Sequence, residues 1–381
     1  MSSGPSLLPR ALAARVSPAR GPAVAARVGT ALGVAIAVCF VTGLLSHWIQ
    51  HPPGWFAWPA HPVWLYRVTQ GTHVVSGVIA IPLLLVKLWS VYPRLFARPL
   101  LGGPLRLLAR GSIALLVGSV IFELVTGLFN IAQVYPWRFF FTTTHYAMAY
   151  LAAGALAVHL AVKLPVVRDA FARDPGADAE PGAGVSRRTV LGAAAFAAVA
   201  AGLSVAGQSV SFLRWAAVLA PRSGEGPQGV PINRTALEAG VRDTATAADY
   251  RLTVVVGERR RAFGYTDLQA LPHHEAVLPI ACVEGWSASA RWSGVRLRDL
   301  LDAVGDYRGG AVRCTSLETG GIYRSSLLPR SHVLADDTLI ALRLNGSDLT
   351  LDHGYPCRLI APNRPGVLQT KWLATIEEEL P

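Results

Sequence analysis

Five long apolar runs set the first limit on how this chain can fold. They extend from about Val28 to Leu45, Thr72 to Leu88, Ser112 to Ile131, Thr144 to Val162 and Val190 to Leu213. A helix needs roughly 20 mostly apolar residues to cross a bilayer. Inside lipid the backbone must satisfy its own hydrogen bonds, so each run predicts a transmembrane α-helix. Composition agrees: mean hydropathy is +0.37, and only 15% of the 381 residues are charged. That is too apolar for an ordinary soluble protein.

Basic residues orient the spans. Arg10, Arg15, Arg20 and Arg27 precede the first. Lys87, Arg94, Arg98, Arg106 and Arg110 lie around the second-to-third connection, and Lys163, Arg168, Arg173, Arg187 and Arg188 around the fourth-to-fifth. The alternate connections carry only Arg67 and Arg138 but several tryptophans, as interfacial belts do. The positive-inside rule then predicts a multi-pass protein of a bacterial-type cytoplasmic membrane. Its N-terminus is cytoplasmic and everything after the fifth span lies outside. The formal charge of +11 reads as anchoring charge. No base-stacking motif accompanies it, so nucleic acid is not an expected partner.

The expected organisation is a disordered basic tail over 1–27, a four-helix membrane domain over 28–170, a linker with the fifth helix over 171–215, and a folded domain over 216–381. In that last part short strand-like runs (250–256, 311–315, 339–344, 358–361, 372–377) mix with helix-like ones. The helix-like runs are 265–271 and the pattern Val295, Leu297, Leu300, Leu301. The mixture predicts an α+β domain. Pro231–Ala236 fits an edge segment, and Asn345-Gly346 is a hairpin turn signal.

Cys282 ends the apolar run Leu278-Pro-Ile-Ala and enters a polar loop at Glu284-Gly285. A thiolate at such an exit suits a metal ligand or a nucleophile, although free cysteines are often simply buried. Of the other cysteines, Cys39 reads as packing, and Cys314 and Cys357 as two buried thiols that an exported domain would allow to pair.

Cys282-Val-Glu-Gly-Trp-Ser, then Trp292-Ser-Gly-Val, then Leu297-Arg-Asp-Leu-Leu resemble the core of the molybdopterin-binding domain of the sulfite oxidase family, which includes bacterial methionine-sulfoxide reductases. Asp352-His-Gly-Tyr-Pro-Cys-Arg-Leu-Ile-Ala-Pro362 and Gly366-Val-Leu-Gln-Thr-Lys-Trp372 resemble its second cofactor-binding segment. The resemblance implies a molybdopterin-type molybdenum cofactor with Cys282 as metal ligand. It also implies pterin contacts from Arg358, Gln369, Thr370 and Lys371, with Ser316, His353 and Asn233 as further candidates. His353 stands where relatives often have Asn. The implied substrate is a small oxide or sulfite-like molecule. Tyr323 and Arg324 are candidates to face it, or are structural.

Ionisable residues within spans are functional candidates. His73 and His145 fall at similar depth and are the preferred axial ligands of a haem b, with His159 and His47 as further haem iron candidates and room for a second haem. Glu123 is a candidate proton or quinone group, or pairs with a nearby polar residue. The unit resembles membrane cytochrome b subunits, notably in Thr144-His-Tyr-Ala and Val158-His-Leu, which implies a quinone or quinol partner. Ser186-Arg-Arg-Thr-Val-Leu191 resembles an internal twin-arginine export signal, or is positive flanking charge. The alternative to an enzyme is a b-type cytochrome whose external domain is an inactive binding or docking module.

Overall fold

The structure, a computed structural model, describes residues 20–95, 103–172, 185–220 and 226–379. Most of the expected basic tail, with Arg98 and Arg173, lies outside these residues. The chain forms two compact units. The first runs to Leu44 and takes in Thr72–Gly207 and the short piece from Trp215. The second takes in Leu45–Gly71, Gln208–Arg214 and the described residues beyond Arg222.

Five helices dominate the first part: α1 (Pro22–Gln50), α2 (Leu65–Leu95), α3 (Pro104–Ala132), α4 (Phe141–Ala172) and α5 (Arg187–Ala206). All five are long and apolar enough to cross a membrane. Four extend past their apolar runs at both ends, because the helix continues into polar flanks. Thus α1 begins at Pro22, inside the stretch expected to be tail, where a proline suits the first turn. The fifth ends early, at Ala206 rather than near Leu213. Beyond Gly207 the chain turns out, and residues 211–216 form a 3-10 turn. The shared core is lined by Val24, Val28 and Leu32 of α1, Leu83 and Leu84 of α2, Val120 of α3 and Ala194 of α5. A Cβ at Gly202 would come within 3.1 Å of Ile79, so a small residue lets α5 lie close to α2.

The second unit is the mixed α+β domain. Its strands are β1 (Leu252–Val256), β2 (Arg259–Phe263), β3 (His274–Ala281), β4 (Ser287–Arg296), β5 (Ala311–Ser316), β6 (Ser325–Leu328), β7 (Leu339–Leu344), β8 (Ser347–Asp348), β9 (Arg358–Ile360) and β10 (Leu373–Glu379). One sheet has the order β2-β1-β10-β5-β6, with β1 and β10 parallel. The other has the order β3-β4-β7-β8, with β9 also pairing β7. Leu252, Val254, Val312 and Ile376 of the first sheet pack with Val295, Ile340 and Leu359 of the second and with Leu297, Leu300 and Leu301 of the short helix Leu297–Asp302. The β7–β8 turn places Asn345 and Gly346 at positive φ (49° and 87°), the conformation of a primed hairpin turn.

Two expectations change here. Val295 belongs to a strand: β4 occupies 287–296, which reads as a loop because four of its inward residues, Ser287, Ala288, Ala290 and Gly294, are small. Pro231–Ala236 forms no strand. Its backbone is held by side chains instead, with Ala236 N–H donating to Asp352 Oδ1 at 2.8 Å.

The connection between α1 and α2 belongs to this unit, and three of its hydrogen bonds meet at one residue. Asn363 is almost fully buried and left-handed (φ 53°). Its carbonyl accepts from Trp58 Nε1 (2.9 Å), its Oδ1 from Tyr66 N–H (2.7 Å), and its Nδ2 donates to Pro59 O (2.7 Å). Asn363→Ala loses the two side-chain bonds and strains a non-glycine residue in the left-handed region. The expected cost is about 2–4 kcal/mol, read as a lower thermal unfolding transition. Asn363→Gly, which tolerates the backbone angle, is expected to fall between.

Candidate functional site: a thiol, a buried arginine and a partly buried lysine

Cys282 follows β3 directly. Its N–H donates to Trp286 O (2.9 Å), and Gly285 N–H donates to Cys282 O (3.0 Å). This turn closes β3 onto β4, which pair from Ala281 and Ser287 outward. Gly285 sits at φ 97°, an angle a side chain would strain. Glu284 is clamped by Trp286 Nε1 at 3.0 Å. The sulfur is wholly buried, with Asn233 Nδ2 at 3.6 Å. Burial, and then the charge of Glu284, push the thiol pKa up, so without a cation the sulfur stays protonated. A metal ion would reverse that balance.

Cys282 opens onto a cavity shared with Asn233, Asp352, His353, Arg358 and Lys371, among others. The Arg358 guanidinium is buried over the Trp292 ring, 5.2 Å from its centroid. Its Nη1 and Nη2 donate to the carbonyls of His353 (3.0 Å) and Gln369 (3.1 Å). Burial pulls its pKa down to about 9. Lys371 Nζ donates to the carbonyls of Arg234 (2.5 Å) and Asp352 (3.0 Å). Burial, and then the charge of Arg358, bring its pKa down to about 7. Two desolvated cations whose hydrogen bonds go to main-chain carbonyls form a site prepared for an anion such as a phosphate. Gly354 (φ 109°) lets them converge: a Cβ there would come 3.0 Å from Arg358 Cβ and 3.2 Å from Lys371 Cβ. Trp372 beside them is itself left-handed (φ 49°) and fully buried, a strained position of the kind that gathers at functional sites.

The structure sorts the other candidates. His353 lines the cavity, but its Nε2 lies 2.7 Å from Pro227 O. Burial is the main cause of a pKa near 4, so the ring is neutral. Gln369 also lines the cavity, yet its amide is occupied by both main-chain groups of Ala361 (2.8 and 2.7 Å). It shapes the wall and offers its carbonyl to Arg358. Thr370 turns to Ser326 Oγ (2.7 Å), and Ser316 Oγ accepts from Glu318 N–H (3.2 Å), so the side-chain groups of both serve local structure. Cys314 and Cys357 are free, buried thiols. Sequence reasoning missed Asp352, whose carbonyl holds Lys371, and Gly366. A Cβ at Gly366 would come 3.2 Å from Ile280 Cγ2. The glycines at 354 and 366, each within a cofactor-like motif, were the available signal.

In the helical unit His73 and His145 do meet, with ring centroids 6.5 Å apart. His73 Nδ1 lies 2.8 Å from Cys39 O, and a Cβ at Gly43 would reach 2.8 Å from His73 Cε1. His145 Nδ1 lies 3.0 Å from Thr126 Oγ1, and its Nε2 lies 3.1 Å from Glu123 Oε2. His159 stands within electrostatic reach of Lys87 and Lys163. His47 packs on His51, ring centroids 5.0 Å apart, and falls in the other unit. Among the described residues no group of three or more His, Cys, Asp or Glu is placed to hold a metal ion.

The profile of the oxidoreductase molybdopterin binding domain matches residues 238–379. An uncharacterized oxidoreductase of Bacillus subtilis, YuiH, is 32% identical across 30% of this chain and 56% of its own length. The mitochondrial sulfite oxidase of Mus musculus is 28% identical across 34% of this chain and 29% of its own. A candidate protein-methionine-sulfoxide reductase subunit of Azospira oryzae, YedZ1, is 30% identical across 34% of this chain and 49% of its own. The chain thus spans between 29% and 56% of the length of these relatives. The C-terminal part, residues 238–379, is thus similar to the molybdopterin-binding domain of oxidoreductases, that of sulfite oxidases among them. In this protein it follows a multi-span helical part.

Proposed function

We propose that the protein is a membrane-anchored molybdenum oxidoreductase. It moves an oxygen atom to or from a small sulfite-like or sulfoxide-like substrate and exchanges electrons with a quinone pool through haem b held by its own helices. The observation that carries this reading is the shared cavity, where a buried thiol faces two cations bonded to carbonyls. A pterin phosphate needs such cations, and molybdenum needs such a sulfur. The molybdenum cofactor, when bound, supplies the two-electron centre at which oxygen is exchanged. Cys282 would ligate the metal, and Arg358 and Lys371 would hold the pterin phosphate. Cys282 gives up its thiol proton on loading, and the Asn233 amide steadies the sulfur. Ile280 and Trp286 keep the wall beside it dry.

His73 and His145 are the preferred haem ligands, supported by the closeness of their rings and by the Cys39 carbonyl. As acceptor from Nδ1–H, that carbonyl leaves the His73 Nε2 lone pair for a metal. The distribution of basic residues supports a cytoplasmic N-terminus and an external catalytic domain, reached by way of the Arg187-Arg188 signal at the start of α5. The relatives named for sulfite and methionine sulfoxide support the substrate class.

Elemental analysis and a reduced-minus-oxidised spectrum of the detergent-purified protein test this. The expected result is molybdenum near one per chain with a b-type band that disappears in the His73→Ala, His145→Ala double variant. Haem without molybdenum, from a host that makes the cofactor, would reduce the domain to a binding module. A band unchanged in the double variant would remove these two ligands.

A further inference from the structure

Three residues outside the matched domain reach the neighbourhood of Cys282. Ser46 and Gln50 lie at the end of α1, and Tyr66 at the start of α2. Tyr66 is 1% exposed and clusters with Ile49, Ala281 and Leu368. Ala281 precedes Cys282, and Leu368 precedes Gln369 of the cavity wall. Asn363 holds the Tyr66 main chain, and Gln70, one turn further along α2, donates from Nε2 to Val283 O at 2.7 Å.

A polar chain starts at the Tyr66 hydroxyl. That oxygen lies 3.1 Å from Ser46 Oγ. Gln50 Nε2 donates to Ser46 O at 3.0 Å and lies 3.4 Å from Ser46 Oγ. Gln50 Oε1 then accepts from the Tyr323 hydroxyl at 3.5 Å, the longest link. Both phenols lie within electrostatic reach of Cys282. Apolar packing alone would dock this segment. A polar network in mostly buried ground adds something packing does not: it fixes the direction of each donor.

We propose that Gln50 and Tyr66 are positioning residues for the reaction. Through Ser46 they hold the Tyr323 hydroxyl where the oxygen of a small oxide or oxyanion meets the Cys282 centre. This rests on the oxygen-transfer reading above. Either direction of that reaction balances as oxide plus two protons plus two electrons against reduced substrate plus water. The electrons come from, or go to, the quinone pool. Tyr323 serves as a hydrogen-bond donor to the oxygen and is not consumed.

The full-length protein tests it with two probes, dimethyl sulfoxide reduced by reduced benzyl viologen and sulfite oxidised by ferricyanide. Gln50→Leu removes the acceptor for Tyr323 and is expected to lower kcat/KM about tenfold with whichever probe the parent turns over, equivalent to about 1.4 kcal/mol. Tyr66→Phe keeps the ring packing and is expected to lose severalfold. Gln50→Glu keeps an acceptor oxygen for Tyr323 but loses the donor to Ser46 O, and is expected to recover part of the loss. Melting temperatures should stay within a few degrees of the parent. A second readout needs no turnover: nitration of Tyr323 by tetranitromethane in cofactor-free protein, followed by peptide mass spectrometry. Gln50→Leu is expected to speed it severalfold. Unchanged nitration with unchanged kcat/KM would make the chain a structural tie and overturn the proposal. A parent that binds molybdenum yet turns over neither probe would count against the oxygen-transfer reading, and the nitration rates would still decide whether Gln50 holds Tyr323.

Discussion

Cys282→Ser is expected to lower oxygen transfer by more than about a hundredfold while the domain stays folded. Even the outer partners of metal ligands cost about 10–100-fold when removed, and Cys282 is the proposed ligand itself. A serine hydroxyl is a harder donor and far harder to deprotonate. This site already disfavours the anion, because burial and the Glu284 charge raise the pKa of the thiol. The fold should tolerate the change. The two side chains are close in size, the turn is closed by main-chain bonds to Trp286 and Gly285, and Asn233 can donate to oxygen as it does to sulfur. Turnover and molybdenum content measured on the same sample check this. A variant with full activity would leave Cys282 a structural thiol.

Arg358→Met is expected to act in opposite directions with and without cofactor. In the loaded protein it would remove the proposed buried partner of the pterin phosphate, and molybdenum content should then fall by an order of magnitude or more. In the cofactor-free protein the guanidinium is a desolvated charge bonded only to carbonyls. An apolar chain of similar length there should be neutral or stabilising, by about 1–4 kcal/mol. Thermal melting of both forms reads the crossing.

Lys371 adds a pH signature. Its folded pKa, about 7, lies below the ordinary lysine value, so the unfolded chain binds more protons between the two. The penalty is therefore absent above the unfolded value, grows as pH falls, and is complete below about 7. An anion relieves that penalty. Sulfate should raise the melting temperature of cofactor-free protein more at pH 6 than at pH 9, and the difference should shrink in an Arg358→Met, Lys371→Met double variant. Equal effects in parent and variant would mean a general salt effect.

Much of the architecture was legible in the sequence because its signals are local. Apolar length gave five helices, and β1, β5, β7 and β10 showed themselves as short apolar runs. The exceptions have physical causes. β2 is Arg259-Arg260-Arg261-Ala-Phe, a charged edge strand whose outward face hides its strand character. β4 turns the small residues Ser287, Ala288, Ala290 and Gly294 inward, so hydrophobic alternation is weak. In the site, the motif residues Cys282, Arg358 and Lys371 line one cavity, whereas the motif residue Thr370 and the separate candidate Ser316 turn to local partners. Asn363, Gln50 and Tyr66 could not be read beforehand. Their importance comes from contacts across hundreds of residues, which no local pattern encodes.

The Asn363 clamp also sets an order of assembly. Trp58, Pro59 and Tyr66 are synthesised 305, 304 and 297 residues before the asparagine that fastens them. Until then the connection between α1 and α2 carries Phe56, Trp58 and Tyr66 without the Ala281, Val367 and Leu368 surface that later covers them. Contacts of such long sequence separation form late in folding. The clamp therefore reports completion: only a chain whose last domain has closed around its own cavity can hide that aromatic patch. A chain stalled short of closure leaves that patch uncovered.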